Sequence, residues 1–524
     1  MSDETPWWKG AVIYQIYPRS FQDSNGDGIG DLPGITRRLD YVASLGVDAI
    51  WLSPFFKSPM RDFGYDIEDY CDVDPTFGTL ADFDALVARA HTLGLKVIID
   101  QVYAHSSDRH GWFQSSRERR NGAHADWYVW ADPKPDGSPP NNWQSVFGGP
   151  AWTWDARRRQ YYMHNFLREQ PQLNLHNPQV QDALLATAQF WLDRDVDGFR
   201  VDAINFSMHD PLLRDNPPAP PGPRTRPFDY QLRRYNQSHP DIPGFLARLR
   251  VLLDSYGATF SVAEVGGDDP IPEMRVFTAG NSHLNSAYSF AFLYAQKLTP
   301  QVVARALADW PDEPGLGWPG WALTNHDSPR GLSRWAEPAH RLAFARMTML
   351  LLMSLRGNPF LYYGEELGLT QVEIPFDELQ DPEAIANWPL TLSRDGARTP
   401  MPWKADAPSL GFSSGRPWLR VGDDHSALAV DVQEADPHSL LHLTRRLVAL
   451  RKAEPVLRLG RLERIAADGD LLSFERWHDN RRIRLAFNFG AEPAEIALEG
   501  AVWAEVNGAT PDLLPPLGAI AVEG

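Results

Sequence analysis

The sequence has a single cysteine, Cys71, in 524 residues. No disulfide can form within the chain, which excludes the cross-linked framework of a small secreted domain. A catalytic thiol also fits poorly, because Cys71 sits in DYCDVD, where neighbouring carboxylates disfavour the thiolate. Positive charge is the second shortage. With 50 Lys and Arg against 68 Asp and Glu, the net charge is -18, the wrong sign for holding a phosphate backbone or an anionic surface. Neither nucleic acid nor membrane is an expected partner. Long apolar runs are missing too: the most apolar stretch, MTMLLLMSL from Met347 to Leu355, falls short of the roughly 18 to 20 residues a bilayer span needs. The start MSDETPWWKG has acids and no apolar core after a basic region, unlike a signal peptide, so the expected location is cytoplasmic. The string GFSSG (411–415) has the letters G-x-S-x-G but follows no strand-like run, and there is no G-x-x-x-x-G-K-[ST] loop and no H-E-x-x-H, so three common chemistries lack their residues in the setting they need. His105, His110 and His124 lie in a polar stretch without regular ligand spacing, and neither a catalytic metal nor an organic cofactor is expected.

What is present is an alternation of buried-strand runs and amphipathic helices. VIYQIY (12–17), DAIWLSP (48–54), KVIID (96–100), DGFRVD (197–202), TFSVAE (259–264), AYSFAF (287–292), GWALTN (320–325) and NPFLYYG (358–364) are eight strand candidates. Continuous apolar strands separated by helices imply a parallel sheet covered on both faces. One such helix, TLADFDALVARAHTLG, puts Leu80, Phe83, Leu86, Val87, Ala90 and Leu93 on one face, with Thr79 and Asp82 as a capping box and Gly94 as terminator. Eight strands point to an α/β fold, a (β/α)₈ barrel. The periodicity stops between Ala104 and about Gln172, where Trp, Asn, Gly and Pro dominate; such a length without structure of its own is uncommon, so it reads as a small inserted domain. Beyond Pro455 the runs become short and alternating, the mark of an antiparallel β domain. The expected division is barrel 1–103, inserted domain 104–174, barrel 175–454 and C-terminal β domain 455–524. The oligomeric expectation is a monomer or small homo-oligomer.

A barrel carries its active site at the carboxyl ends of its strands. Asp100, Arg200 with Asp202, Glu264, and His326 with Asp327 stand at or just past four of those ends. Arg200 and Asp202 are two apart on a strand and face one side, so the guanidinium is expected to hold Asp202 ionised. A second acid kept protonated could then serve as general acid, the division of labour that glycosidic cleavage requires. The 19 Trp suit flat apolar ligand faces such as sugar rings as well as they suit a core.

The strings QIYPRSFQDSNGDGIGDLPGI, GVDAIWLSP, DFGYDIEDY, GFRVDAINF, VAEVGG, LTNHDSPR, GNPFLYYGEELG and DGARTPMPW resemble, in order, the motifs of the α-amylase superfamily, glycoside hydrolase family 13, and most closely its α-glucosidase and oligo-1,6-glucosidase branch. The resemblance implies Asp202 as nucleophile, Glu264 as acid/base and Asp327 as the third carboxylate, with Arg200, His105 and His326 as polar supports. It further implies that Asp62 and Arg398 grip a non-reducing glucose while Tyr65 stacks on its ring, with Phe147 and Phe166 as walls. The implied activity is an exo-acting retaining α-glucosidase on small α-glucosides, or a transglucosylase, isomerase or oligo-1,6-glucosidase using the same intermediate. Two positions depart from the family. Ala104 stands where Asn is usual, and Ala203 follows the expected nucleophile where α-1,6-selective members often carry Val, which favours α-1,4 substrates such as maltose.

DSNGDGIGD presents Asp23, Asn25, Asp27, the Ile29 carbonyl and Asp31 at alternate positions, as an EF-hand loop does, but position 12 is Gly34 and the preceding VIYQIYPRSF is strand-like. A calcium sensor is therefore not expected. The matching loop of the resembled branch binds Ca²⁺, so a structural ion, Ca²⁺ or Mg²⁺, is implied there.

Overall fold

The structure is a computed structural model and describes residues 5–524 except 223, 258, 268, 269, 311–316, 391 and 392, and without the Ser289 side chain. Eight parallel strands close a barrel: β1 Ile13–Ile16, β2 Ala49–Leu52, β3 Lys96–Val102, β4 Gly198–Asp202, β5 Phe260–Val265, β6 Ser286–Ser289, β7 Trp318–Ala322 and β8 Asn358–Tyr362. Each pairs with its sequence neighbours, and β1 closes against β8. Helices between the strands include α1 Leu32–Ser44, α2 Leu80–Thr92, α3 Pro178–Leu192, α4 Ile242–Ser255, α5 Pro270–Phe277, α6 Pro300–Asp309, α7 Arg341–Ser354 and α8 Leu440–Ala453.

The strand pleat sorts side chains between two cores. Ile13, Ala49, Trp51, Ile98, Phe260, Val262, Tyr288, Ala322 and Phe360 fill the lumen. The residues alternating with them, such as Tyr14, Ile50, Ile99, Val201 and Ala263, join the large core shared with the helices. In α2 the Thr79 hydroxyl accepts from the Asp82 amide and the Asp82 carboxylate accepts from the Thr79 amide, while Phe83, Leu86, Val87 and Ala90 are buried. Burying side chains of this size is worth about 1.5 to 3 kcal/mol each. The apolar stretch 347–355 lies in and just after α7 and is buried throughout. No described helix is long and apolar enough to cross a membrane.

Several strand ends differ from the sequence expectation, those of β6 and β7 the most. β6 stops at Ser289 and β7 at Ala322, so Phe290, His326 and Asp327 stand on the loops above the barrel. Apolar runs mark what is buried, and here they continue past the last backbone pairing into loop residues that are buried as well. Asp100 does the reverse: β3 continues to Val102, and the carboxylate is fully buried inside the sheet rather than at its rim.

Between β3 and α3 a three-stranded antiparallel sheet (Trp130–Ala131, Trp152–Asp155, Gln160–Met163) forms a small body over the carboxyl ends of the strands. After α8 come five antiparallel strands, Arg461–Asp468, Leu471–His478, Arg481–Asn488, Ala519–Glu523 and Ala501–Val506 in spatial order.

Candidate active site

Strand register builds the floor of the site. Arg200 on β4 is level with Asp100 on β3 and Val262 on β5, and Glu264 is level with Tyr288 on β6. Asp100, Arg200, Asp202, Val262 and Glu264 therefore face the lumen together. Arg200 sits with its guanidinium 5.0 Å from the Trp51 ring centre and is fully buried. It donates from Nη1 to Asp100 at 2.6 Å and to Asp202 at 2.7 Å, and Nη2 lies 2.6 Å from Glu264 Oε2. The Trp51 indole donates to the other Asp100 oxygen at 2.9 Å.

Immediately after Asp202 the chain turns at Ala203, which has φ 35° and ψ 42°. A non-glycine residue in this left-handed region carries strain on the order of 1 to 2 kcal/mol. The turn aims the Ala203 amide at Glu264 Oε2, 3.1 Å away. Tyr288 donates its hydroxyl to Glu264 Oε1 at 3.3 Å.

One guanidinium thus serves three buried carboxylates. Burial pushes Glu264 up to about 8, aided by the charges of Asp202 and Asp327 and opposed by Arg200. Burial also pushes Asp202 up to about 7 and Asp100 up to about 6, again against Arg200. The expectation that Arg200 alone would keep Asp202 ionised needs correction, because its charge is divided. What survives is the order, with Glu264 the more proton-loving of the pair.

Asp327 is governed differently. Burial would raise its carboxyl, but the His326 N–H beside it and the Arg394 and Arg398 guanidiniums outweigh burial and hold it well below the usual carboxylate range. Arg394 Nη1 donates to Asp327 at 3.2 Å and Arg398 Nη2 at 2.9 Å. Burial lowers His326 to about 3, so its ring is neutral. The Gln15 amide donates to its Nδ1 at 2.9 Å, which leaves the proton on Nε2, directed at the Tyr65 hydroxyl and 3.2 Å from Asp327. The Tyr65 ring stacks on His326 with centroids 5.5 Å apart.

These groups surround a cavity of about 330 Å³ lined by Asp62, Tyr65, His105, Phe147, Phe166, Asp202, Glu264, Asp327 and Arg394, among others. Arg200 and His326 lie behind this lining. At one end, Arg394 Nη2 donates to Asp62 at 3.1 Å and to Asp381 at 2.8 Å, with its guanidinium 5.0 Å from the Phe147 ring centre. The Gln170 amide bridges Asp62 at 3.1 Å and His105 Nε2 at 3.1 Å, and the Phe166 ring packs on His105 and Phe147. Together these contacts close that end.

Arg398 is not part of the lining. It is buried between Tyr17 and Phe63, gives Nε to the His326 carbonyl at 2.7 Å and reaches only Asp327. The wall position belongs to Arg394, one helical turn earlier in SRDGAR. Sequence reasoning also missed Arg226, Phe228, Asp229 and Arg233, which line the cavity from the loop after β4. Arg226 bridges Asp229 and Glu383, each at 2.9 Å, and so joins the loop after β4 to the segment after β8. Phe290, read as strand, instead lines the cavity.

Around the 23–31 motif the local structure is a series of side-chain turns. Asp23 accepts from the amides of Asn25, Gly26 and Gly28 and from the Ser413 hydroxyl; Asn25 accepts from the Asp27 amide, and Asp27 from that of Ile29. Asp31 caps α1 through the Gly34 amide at 2.7 Å and accepts twice from Ser24. Gly28 has φ +90° and a Cβ there would meet the Arg416 carbonyl at 1.9 Å, so only glycine fits. The donors form a hard-oxygen set suited to Ca²⁺, but the four donors already on Asp23 fill its lone pairs. An ion must displace at least one of them.

A (β/α)₈ barrel with two buried acids of unequal proton affinity at its carboxyl mouth, beside a closed polar wall, defines the class of acid-pair glycosidases. The chain belongs to the α-amylase family: the family model for the α-amylase catalytic domain matches residues 15–460. It is 53% identical over 503 residues to a probable α-glucosidase of Rhizobium meliloti, covering 94% of this chain and 91% of that one. It is 36% identical over 518 residues to an oligo-1,6-glucosidase of Parageobacillus thermoglucosidasius, covering 93% and 91%. Among solved structures, the α-glucosyl transfer enzyme XgtA superposes with TM-score 0.94 at 51% identity, over 99% of this chain and 100% of that one.

Proposed function

We propose that the protein is an exo-acting retaining α-glucosidase that releases α-glucose from the non-reducing end of short α-glucosides. The observation that supports this most is the closed end of the cavity, where Arg394 ties Asp62 and Asp327 together beside Phe147. A chain end fits against such a wall, and a mid-chain segment cannot pass it. In this reading Asp62 and Asp327 accept hydroxyls of the terminal glucosyl unit while Tyr65 offers its ring. Asp202 attacks the anomeric carbon as Glu264 gives its proton to the departing oxygen. Water activated by Glu264 then hydrolyses the glucosyl-enzyme with net retention. Ala203, whose small side chain lines the cavity next to the nucleophile, goes with a preference for α-1,4 links.

A second reading is transfer of the glucosyl unit to a hydroxyl acceptor other than water. Its support is the acceptor side of the cavity, walled by Phe206, Phe228, Phe290 and Tyr294, rings on which a sugar face can rest, together with the likeness to a glucosyl transfer enzyme. Following maltose, isomaltose and maltotetraose by NMR tests both readings. Release of α-glucose alone, faster from maltose than isomaltose, is expected for hydrolysis, and longer or relinked glucosides are expected for transfer. Internal cleavage of maltotetraose to maltose as the sole first product contradicts the exo assignment.

Loop 23–31 is proposed to hold a structural Ca²⁺ through Asp23, Asn25, Asp27, the Ile29 carbonyl and Asp31, with one hydrogen bond to Asp23 given up on binding. Calcium is then expected to raise the melting temperature of chelator-treated protein. An unchanged melting temperature at millimolar Ca²⁺ counts against the site.

A further inference from the structure

Away from the cavity, three segments bring imidazoles together. His176 lies just before α3, His209 in the loop after β4, and His239 and Asp241 just before α4. The His176 and His239 ring centroids are 4.8 Å apart, those of His176 and His209 5.2 Å. One ligating atom from each of His176, His239 and Asp241 lies within 4.8 Å of the others, the sole such trio of His, Cys, Asp or Glu among the described residues. Asp241 Oδ2 is 3.7 Å from His239 Nδ1 and 4.0 Å from His176 Nδ1.

For His176 the tautomer is already set for ligation, while His239 Nδ1 accepts a long hydrogen bond, 3.3 Å, from the Asp241 amide. His176 Nε2 donates to the His209 carbonyl at 2.7 Å, which leaves the Nδ1 lone pair free toward Asp241. A backbone carbonyl that takes the second ring proton is how ligating histidines are commonly oriented. Asp241 occupies the cap position of α4 but makes no side-chain cap bond, and its side chain is 67% exposed, so the carboxylate is free to turn. His176 and His239 are 22% and 17% exposed, open enough for an ion to enter. Ligands at 2.0 to 2.1 Å from a tetrahedral centre stand about 3.4 Å apart, so the present spacings of 3.7 Å, 4.0 Å and at most 4.8 Å must close by roughly 0.3 to 1.4 Å, which the exposed Asp241 side chain can supply in part by turning.

We propose that His176, His239 and Asp241 form a binding site for Zn²⁺, with water as the fourth ligand. Two imidazoles and one carboxylate suit zinc and not calcium, which takes all-oxygen sets. The site is separate from both the acid pair and loop 23–31. A bound ion would pin the loop after β4, which carries Phe206, Phe228 and Arg233 of the acceptor wall, to the starts of α3 and α4.

The test is calorimetric titration of ZnCl₂ into the untagged, EDTA-treated full-length chain. One saturable zinc per chain is expected, with affinity at least about tenfold lower in Asp241→Asn and in His176→Gln, and unmoved by excess CaCl₂. Because Asp241 is exposed, Asp241→Asn should keep the melting temperature of the wild type in EDTA, which separates loss of a ligand from loss of fold. Absence of stoichiometric zinc binding, or binding equally tight in a His176→Gln/His239→Gln variant, overturns the proposal.

Discussion

The floor and the wall of the cavity are built from the same side chains in different proportions. On the floor three carboxylates, Asp100, Asp202 and Glu264, share the single cation Arg200. On the wall Asp62, Asp327 and Asp381 share two, Arg394 and Arg398. Both sets are buried, so desolvation acts on both. The shortage of cations leaves Glu264 and Asp202 raised to about 8 and about 7, whereas Asp327, touched by both wall arginines, is lowered. Asp62 marks the boundary: touched by one arginine, Arg394, and with Asp327 close by, it is still raised by burial. The floor acids thus keep a proton in play, while the carboxylate doubly held on the wall stays ionised.

Breaking the floor should have the largest effect. Asp202→Asn is expected to fold and to lose turnover of maltose. Glu264→Gln should lose about 10² to 10⁴ in kcat on maltose, and less on a nitrophenyl α-glucoside, whose leaving group hardly needs protonation. Steady-state kinetics on both substrates checks this, and near wild-type rates in Asp202→Asn would refute the assignment. Next comes the wall. Arg394→Ala leaves buried carboxylates short of a partner, and denaturant unfolding should show a loss of about 3 to 5 kcal/mol. Arg394→Lys should recover little, since a point charge cannot span Asp327, held by Nη1, and Asp62 and Asp381, held by Nη2.

The smallest effect sharpens the comparison through pH. Glu264 binds its proton more tightly folded, near 8, than at its ordinary value of 4.5. Its contribution to stability is therefore full below about 4.5 and is lost as pH rises through about 8. Glu264→Gln is expected to gain melting temperature relative to wild type progressively across that window. Asp327, shifted the other way, contributes stability that is present above its ordinary 3.8 and lost only in stronger acid. Differential scanning calorimetry between pH 4.5 and 8.5 separates the two. A mutant-to-wild-type difference that is flat or shrinks with rising pH would mean that Glu264 is not raised.

The barrel was legible because parallel strands are apolar on both faces, and the eight runs stood out between amphipathic helices. Asp202 and Glu264 were legible because strand ends supply barrel chemistry and their motifs matched a family. Asp100 was harder to place: its partnership with Arg200 depends on the register between β3 and β4, which no local pattern encodes. The same holds for Arg394 and Arg398. They lie one turn apart in one segment, and only the path of the chain after β8 decides that Arg394 faces the cavity while Arg398 is buried behind it. Phe290 was misread because an aromatic continuing a strand pattern looks the same whether it pairs or turns into a cavity. The His176, His239 and Asp241 cluster carries little sequence signal: His239 and Asp241 share one segment, HPD, but His176 comes from a separate loop.

One cation divided among three acids keeps Glu264 protonated near neutrality while Asp202 ionises first. The most direct measurement is the pH profile of kcat/KM for maltose in the wild-type enzyme. A narrow bell is expected, with an acid limb near 7 from Asp202 and an alkaline limb near 8 from Glu264. A profile whose alkaline limb falls below about 5.5 would show Glu264 ionised at neutral pH and contradict the claim.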